Sequence, residues 1–496
     1  MKRKMKRLLG SIITLVLLIC GINYVDELTR LKSSSARDLL YRSYFEYAND
    51  YDVLFFGTSH VMYGINPLEL WHDYGIVSYN WGSPTCTIPN IYWKLMNVLD
   101  YATPDLVVVD CFRTVWIDKS YSVERMHEAF DAFDFSLTKY NAVNDLMDDP
   151  RKYSEKDKIN VLFRLSAYHN RWEELHRIDF DNSFVDTKGG EFEVNVAVPI
   201  EISTTFDKTE ITPEMEGVNY LRRTIEACQE GNIHILLTYL PYPTSEEWKK
   251  EANMIQDIAD EYGVDYINFT NLDVVNYNTD CADDSSHLNI SGNGKVTEYL
   301  GEYIKENYEI LDFRNDDALS LQWNHDYTSY VDWKTSLFNE QDSLLNYLML
   351  LRDAPIECII DIRNKDIFCS DLYMELLGNL GVDISLISEK TDFILIKNGN
   401  TKNVIINNFR ENGSVGETDV GEIQIYYSTD NIGQDEIVRN YTIYVDGEKW
   451  LAGSMVDDTS MRIVVRQQED IIDDVKFVYD VNLESTEVSI LSVNRV

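Results

Sequence analysis

A chain of 496 residues exceeds what one hydrophobic core usually organises, so two domains plus a terminal segment are expected. Apolar residues make up 44%, a globular value, while 84 acidic against 44 basic residues give a formal net charge of −40. That excess keeps a surface soluble and repels phosphate backbones, which argues against nucleic acid as a partner.

The basic residues are unevenly spread. MKRKMKR puts five of them in the first seven positions, directly ahead of LLGSIITLVLLICGINYV. This run, Leu8 to Val25, carries no charge and is about as long as the shortest bilayer-spanning helices. Residues 1–25 therefore read as a cytoplasmic basic tip and a transmembrane anchor, contacting the membrane through 8–25. Lysine and arginine on the N-terminal side predict a cytoplasmic N-terminus with everything after Asp26 outside the cell. A cleaved signal peptide is the competing reading, but no small-x-small pattern follows the run. A lipoprotein site at Cys20 would need a small residue where Ile19 stands.

Seven cysteines show no CxxC or CxxH pair, so neither a zinc nor an iron–sulfur framework is indicated. The six beyond the anchor, Cys86, Cys111, Cys228, Cys281, Cys358 and Cys369, lack a disulfide-like spacing and are expected to be mostly unpaired.

Residues 26–50 read as a stalk helix of mixed charge. From 51 to 312 short β-branched runs alternate with helical patterns: DVLFF, a helix over Pro67 to Tyr74, GIVSYN, a helix over Asn90 to Leu99, DLVVVD, and later IHILLTYLPYP, a helix over 244–262, VDYINF, and a final helix after SHLNISGNGK. Such alternation predicts βαβ units in a flavodoxin-like parallel sheet of about five strands, buried on both faces. Residues 117–205, charged and aromatic, break the rhythm and read as a helical insertion. From 313 to 496 a helix–strand pair and a helix ending at Gly381 precede strand-like runs with polar turns such as VDGEKW, which predicts a β-rich α+β domain.

In an open parallel sheet, ligands bind beyond the carboxyl ends of the strands. Gly57-Thr58-Ser59-His60 lies there, after the first strand. Ser59 can serve as a nucleophile that also presents its own N–H to an oxyanion, or as a helix N-cap. The loop DDSSHLN supplies Asp284 three residues before His287, ahead of the last helix of the same domain. A serine nucleophile needs such a base, and a carboxylate to fix its tautomer. His60, next to Ser59 on a helix start, diverges from it and is a poor base, so the base is assigned to His287 and His60 is left to contact substrate or fix the loop.

These residues resemble the SGNH (GDSL-like) hydrolases over about 52–310. There the serine follows the first strand in a Gly-x-Ser string, and an Asp-x-x-His pair precedes the final helix. The Gly-Thr-Ser-His variant, the anchor and the HLNISGNGK tail look like the membrane-anchored branch. That branch includes the D-alanyl transfer protein of teichoic-acid modification and the acetyl-transfer proteins of alginate and other exopolysaccharides. The resemblance implies catalytic Ser59, Asp284 and His287, an oxyanion hole of the Ser59 and Gly82 amides, no metal or organic cofactor, and a multipass membrane acyltransferase as a possible partner. The third block departs from the pattern: VVVDCFRTVW brings Asp110 and Arg113 but no asparagine. Arg113 is a candidate for an anionic substrate group or for a structural salt bridge, and Tyr239 and Tyr242 are candidates for stacking on a sugar or for the core. The C-terminal part resembles, through its apolar pattern, the ILEI/PANDER-type domains, which implies glycan binding or, alternatively, a spacer.

The expectation is a membrane-anchored, extracytoplasmic serine esterase or O-acyltransferase acting on a cell-surface polysaccharide or teichoic-acid-like polymer. A non-catalytic glycan-binding or assembly protein of the cell envelope is the alternative.

Overall fold

The computed structural model describes residues 2–29, 43–45, 47–119, 122–180, 185–197, 202–282, 286–353, 356–362, 365–382, 393–398, 402–407, 413–431, 437–455, 459–467 and 470–495. Helix α1 covers Lys2–Thr29, and its stretch Leu9–Asp26 is long and apolar enough to cross a membrane. The elements that follow are β1 Val53–Phe56, α2 Ser59–Gly64, α3 Pro67–Tyr74, β2 Ser78–Asn80, α4 Ile88–Leu99 and β3 Leu106–Asp110. The insertion then supplies α5 Val123–Phe130, α6 Leu137–Leu146, α7 Glu155–Leu162 and α8 Arg164–Tyr168. The alternation resumes with α9 Glu216–Glu230, β4 His234–Tyr239, α10 Glu246–Tyr262, β5 Asp265–Asn268, α11 Ile290–Asn307 and α12 Asp317–Ser336.

Strands β1 to β5 form one parallel sheet in the order β2-β1-β3-β4-β5. Successive residues of β1 serve opposite layers, as strand pleating requires. Leu54 and Phe56 pack with Ile91, Leu95, Leu221 and Ile255 of the helices on one side. Val53 and Phe55 pack with Leu70, Val296 and Leu300 on the other. Burial on both faces is why these strands read as unbroken apolar runs. Sequence growth reverses direction between β1 and β3, so the crevice at this switch point lies between the chain leaving β1 and the chain leaving β3. The helix limits follow local chemistry: α3 starts at Asn66, whose Oδ1 accepts Leu68 N–H at 3.1 Å, has Pro67 in its first turn, and ends at Gly75 with φ 67°.

The last third contributes α13 Leu344–Asp353, β6 Glu357–Ile362, α14 Asp371–Asn379, β7 Phe393–Asn398, β8 Lys402–Asn407, β9 Gly413–Thr418, β10 Gly421–Asn431, β11 Ile437–Val445, β12 Glu448–Met455, β13 Ser460–Gln467, β14 Asp470–Asn482 and β15 Glu487–Arg495. Two antiparallel sheets result, β15-β14-β13-β6-β7-β8 and β12-β11-β10-β9. Ile359, Ile394, Ile396 and Val464 of the first meet Ile423, Ile425, Ile443 and Trp450 of the second. The other face of the larger sheet is covered by α13 and α14. VDGEKW is a two-residue hairpin: Asp446 and Gly447 have φ 52° and 80°, the pair of positive values that a primed turn demands.

Contacts cross two of the expected domain limits. Tyr44 and Ala48, expected in a stalk, belong to the core, with Phe45 and Tyr47 packed against it. Tyr44 is fully buried against Tyr51, Tyr79 and Trp81. Residues 30–42 and 46 of the expected stalk helix lie outside the described residues. Helix α12, just beyond the boundary expected at 312/313, packs on α3. Trp71 Nε1 donates to Asn324 Oδ1 at 2.9 Å, Trp71 and Trp323 have ring centroids 5.4 Å apart, and Tyr330 donates to Glu69. None of the seven cysteines is in a disulfide, and five are buried beneath helices or strands.

Candidate active site

Gly57 ends β1 where no larger residue fits: a Cβ there would stand 2.3 Å from Val61 Cγ2 and 2.9 Å from Asp110 Cβ. The chain then turns directly into α2. The cap of this helix is Thr58 rather than Ser59, its side chain accepting from His60 N–H at 3.2 Å. Ser59 occupies the first helical position, whose amide has no acceptor within the helix. Its side chain is thereby released from capping and stands half-buried at the crevice mouth.

Ser59 Oγ lies 2.7 Å from His287 Nε2, although 228 residues separate them. Strong constraints hold the histidine. Ala282 N–H donates to His287 O at 2.9 Å, and Cys281 and Leu288 form an antiparallel bridge. Two residues on, Asn289 is fully buried. Its Oδ1 accepts the Ser291 and Gly292 amides at 3.1 and 3.2 Å, and its Nδ2 donates to the carbonyls of Thr279, Cys281 and Asn195 at 2.8, 3.2 and 3.0 Å. One side chain thus caps α11 and ties its start to the His287 loop and to the insertion. Asp284, the expected orienting carboxylate, lies outside the described residues. The His287 ring rests on Tyr63, centroids 4.8 Å apart.

Gly82 reaches the same corner, where a Cβ would come within 2.5 Å of Met62 N in α2. Its N–H donates to Asn80 Oδ1 at 2.9 Å, so an oxyanion above Ser59 has to take this hydrogen over from Asn80. Asn80 also donates to the carbonyls of Val61 and Ile65 at 2.8 and 3.0 Å and so moors α2 to the end of β2. Lys94, a buried lysine on α4, donates to Ser83 Oγ at 2.7 Å and to Trp81 O at 3.3 Å, which fixes the loop carrying Gly82.

The three candidate substrate-binding residues are all engaged with the protein itself. His60 is buried between Phe112 and Tyr242, centroids 4.4 and 4.3 Å away, and forms the floor beside Ser59. Tyr239 is fully buried and donates its hydroxyl to Glu251 Oε1 at 3.1 Å, so its ring offers no face to a sugar. Arg113 adopts φ 69° and lays its guanidinium over Trp116 at 4.3 Å and Phe112 at 5.3 Å. This turn is held by Glu251, which accepts the Arg113 and Val115 amides at 2.8 and 3.1 Å. The insertion expected at 117–205 also borders the site. Asn80 N–H donates to Lys188 O, Glu191 N–H to Met62 O and Ile290 N–H to Glu193 O, all at 2.8–2.9 Å. Among the described residues no group of three or more His, Cys, Asp or Glu could hold a metal ion.

Beneath this floor burial pushes the Asp110 carboxyl up to about 7 and that of Glu251 up to about 8, opposed by the amides of Leu240, Val115 and Arg113. Both bind protons more tightly folded than unfolded. Their favourable contribution is complete near pH 4 and is lost as pH rises through 7 and 8. Asp52, raised to about 7 by burial and by Asp105, acts with the same sign. The melting temperature is therefore expected to fall between pH 6 and pH 9. Asp110→Asn should weaken that slope without abolishing it, read by circular dichroism melts; an unchanged slope contradicts the assignment.

No family model matches the chain, and no curated protein matches it.

Proposed function

We propose that the chain is a membrane-anchored serine esterase or O-acyltransferase of SGNH type that acts on cell-surface polysaccharide or a teichoic-acid-like polymer. The observation that carries this reading is the contact between Ser59 Oγ and His287 Nε2 at the carboxyl end of β1, in the crevice beside the switch point. In the reaction Ser59 Oγ attacks the carbonyl carbon of an acyl ester while His287 Nε2 accepts its proton. The Ser59 amide stabilises the oxyanion, joined by the Gly82 amide once Asn80 yields it. Collapse breaks the ester bond, and the departing alcohol takes the proton from His287. Water or a sugar hydroxyl then attacks acyl-Ser59, again giving its proton to His287, and the serine is regenerated. Asp284 orients the imidazole in this scheme.

Helix α1 with its basic tip supports a single-pass anchor, cytoplasmic N-terminus and extracellular catalytic unit. A multipass membrane acyltransferase would supply the acyl donor if transfer is the reaction, and the β-rich C-terminal part would hold glycan. The alternative, a non-catalytic glycan-binding or assembly protein, draws on two observations: the Gly82 amide is engaged by Asn80, and β3 ends in the buried Asp110 with no asparagine after it.

Hydrolysis of p-nitrophenyl acetate by the purified full-length protein separates the two. The enzyme reading expects turnover above background that Ser59→Ala abolishes with the fold intact by circular dichroism. Equal rates for wild type and Ser59→Ala favour the binding protein.

A further inference from the structure

The carboxyl end of α1 does not leave the protein as a free tether. Arg164 donates to Asp26 Oδ2 through Nη2 at 2.8 Å and Nε at 3.2 Å, and Arg171 Nη1 donates to Thr29 O at 3.0 Å. Both arginines belong to the insertion, Arg164 opening α8 and Arg171 lying in the following 3-10 turn His169–Glu173. The span and the insertion are therefore locked together.

That lock fixes the depth of nearby side chains. With Asp26 at the polar boundary, Ile22 lies four residues deeper, about 6 Å along a helix rising 1.5 Å per residue. Ile22 shares a cavity of about 470 Å³ with Phe135, Leu162 and Phe163. Phe135 and Phe163 stack with centroids 5.0 Å apart, yet are 52% and 48% exposed; Leu137 beside them is 78% exposed and Trp172 in the 3-10 turn is 65% exposed. Large apolar side chains concentrated around a helix that crosses a membrane mark a surface meant to leave water. Aromatic rings are favoured at the headgroup boundary, and burial of about 5–10 Å is usual for interfacial apolar faces.

We propose that Phe135, Leu137, Phe163 and Trp172 bed in the interfacial zone of the bilayer that α1 crosses, so that the extracellular unit lies against the membrane instead of extending from it. The inference rests on α1 as a span and is independent of the chemistry assigned to Ser59.

The test uses the full-length protein in phosphatidylcholine nanodiscs, with and without bromine at carbons 6 and 7 of one acyl chain. Helix α1 contains no tryptophan, so quenching reports on the rest of the chain. Brominated lipid should lower the emission by on the order of one part in nine, since Trp172 is one of nine tryptophans. Trp172→Phe should remove most of that loss, and Phe163→Glu, which sets a charge at the same depth, should at least halve it with an unchanged circular dichroism spectrum. Equal emission in the two nanodiscs, or the same loss in wild type and Trp172→Phe, overturns the proposal.

Discussion

His287→Ala is expected to lower ester hydrolysis by about 10³-fold or more while leaving the melting temperature close to that of the wild type. Members of a nucleophile–base pair act as a unit, so removing the base costs nearly as much as removing the nucleophile. The small structural effect follows from position. His287 is half-buried, and the loop around it is held by backbone contacts of Ala282, Leu288 and Asn289 rather than by the imidazole. His60→Ala provides the contrast. That ring is buried between Phe112 and Tyr242 and lies 5.9 Å from His287, so its loss should lower stability before it lowers the rate per folded molecule. Rates normalised to folded protein check both. An activity that survives His287→Ala but not His60→Ala reverses the assignment of the base.

Asn289→Ala is expected to be the most destabilising single change at the site, on the order of 3 kcal/mol, from a lost helix cap of about 1 kcal/mol and buried carbonyls left without donors. Five hydrogen bonds of this one side chain disappear together. At roughly 2–4 °C per kcal/mol for a unit of this size, the melting temperature should fall by about 5 °C or more. Asn289→Asp keeps the acceptor for the Ser291 and Gly292 amides but not the donors, and should recover only part of the loss. Activity is expected to fall with Asn289→Ala even below the melting transition, because His287 is two residues away on the loop that Asn289 holds. A melting temperature unchanged in Asn289→Ala contradicts this role.

How much of this was readable beforehand follows from the range of each signal. The parallel sheet was legible because burial on both faces writes itself as consecutive apolar residues, as in Leu54, Phe55 and Phe56. Helix α3 was legible from Asn66, Pro67 and Gly75, which mark its ends locally. Strands β9, β12 and β15 were not, since GSVGET and EKWLAGSM lack the β-branched density that a strand pattern relies on, and EVSILSVNR exposes most of its side chains at the sheet edge. The packing of α12 on α3 was not legible, because Trp323, Asn324 and Tyr330 meet α3 across some 250 residues, a contact that no local pattern records.

At the site, Ser59 and His287 were legible as residue types in the expected order, whereas their supports were not. Asn289, Asn80 and Lys94 look like ordinary polar residues. Only burial turns them into the ties that hold the His287 loop, α2 and the Gly82 loop. Tyr239 shows what local pattern leaves open. An aromatic residue after a strand end fits a sugar platform or the core, and only the turn that Glu251 organises above it puts it in the core.

The most direct test of the central claim is covalent capture. The full-length protein in nanodiscs is treated with a fluorophosphonate and digested, and the adduct is mapped by mass spectrometry. The account predicts one phosphonylated peptide, modified at Ser59, lost in Ser59→Ala and formed far more slowly in His287→Ala. An unmodified Ser59 in folded protein, or labelling as fast in His287→Ala as in the wild type, would contradict it.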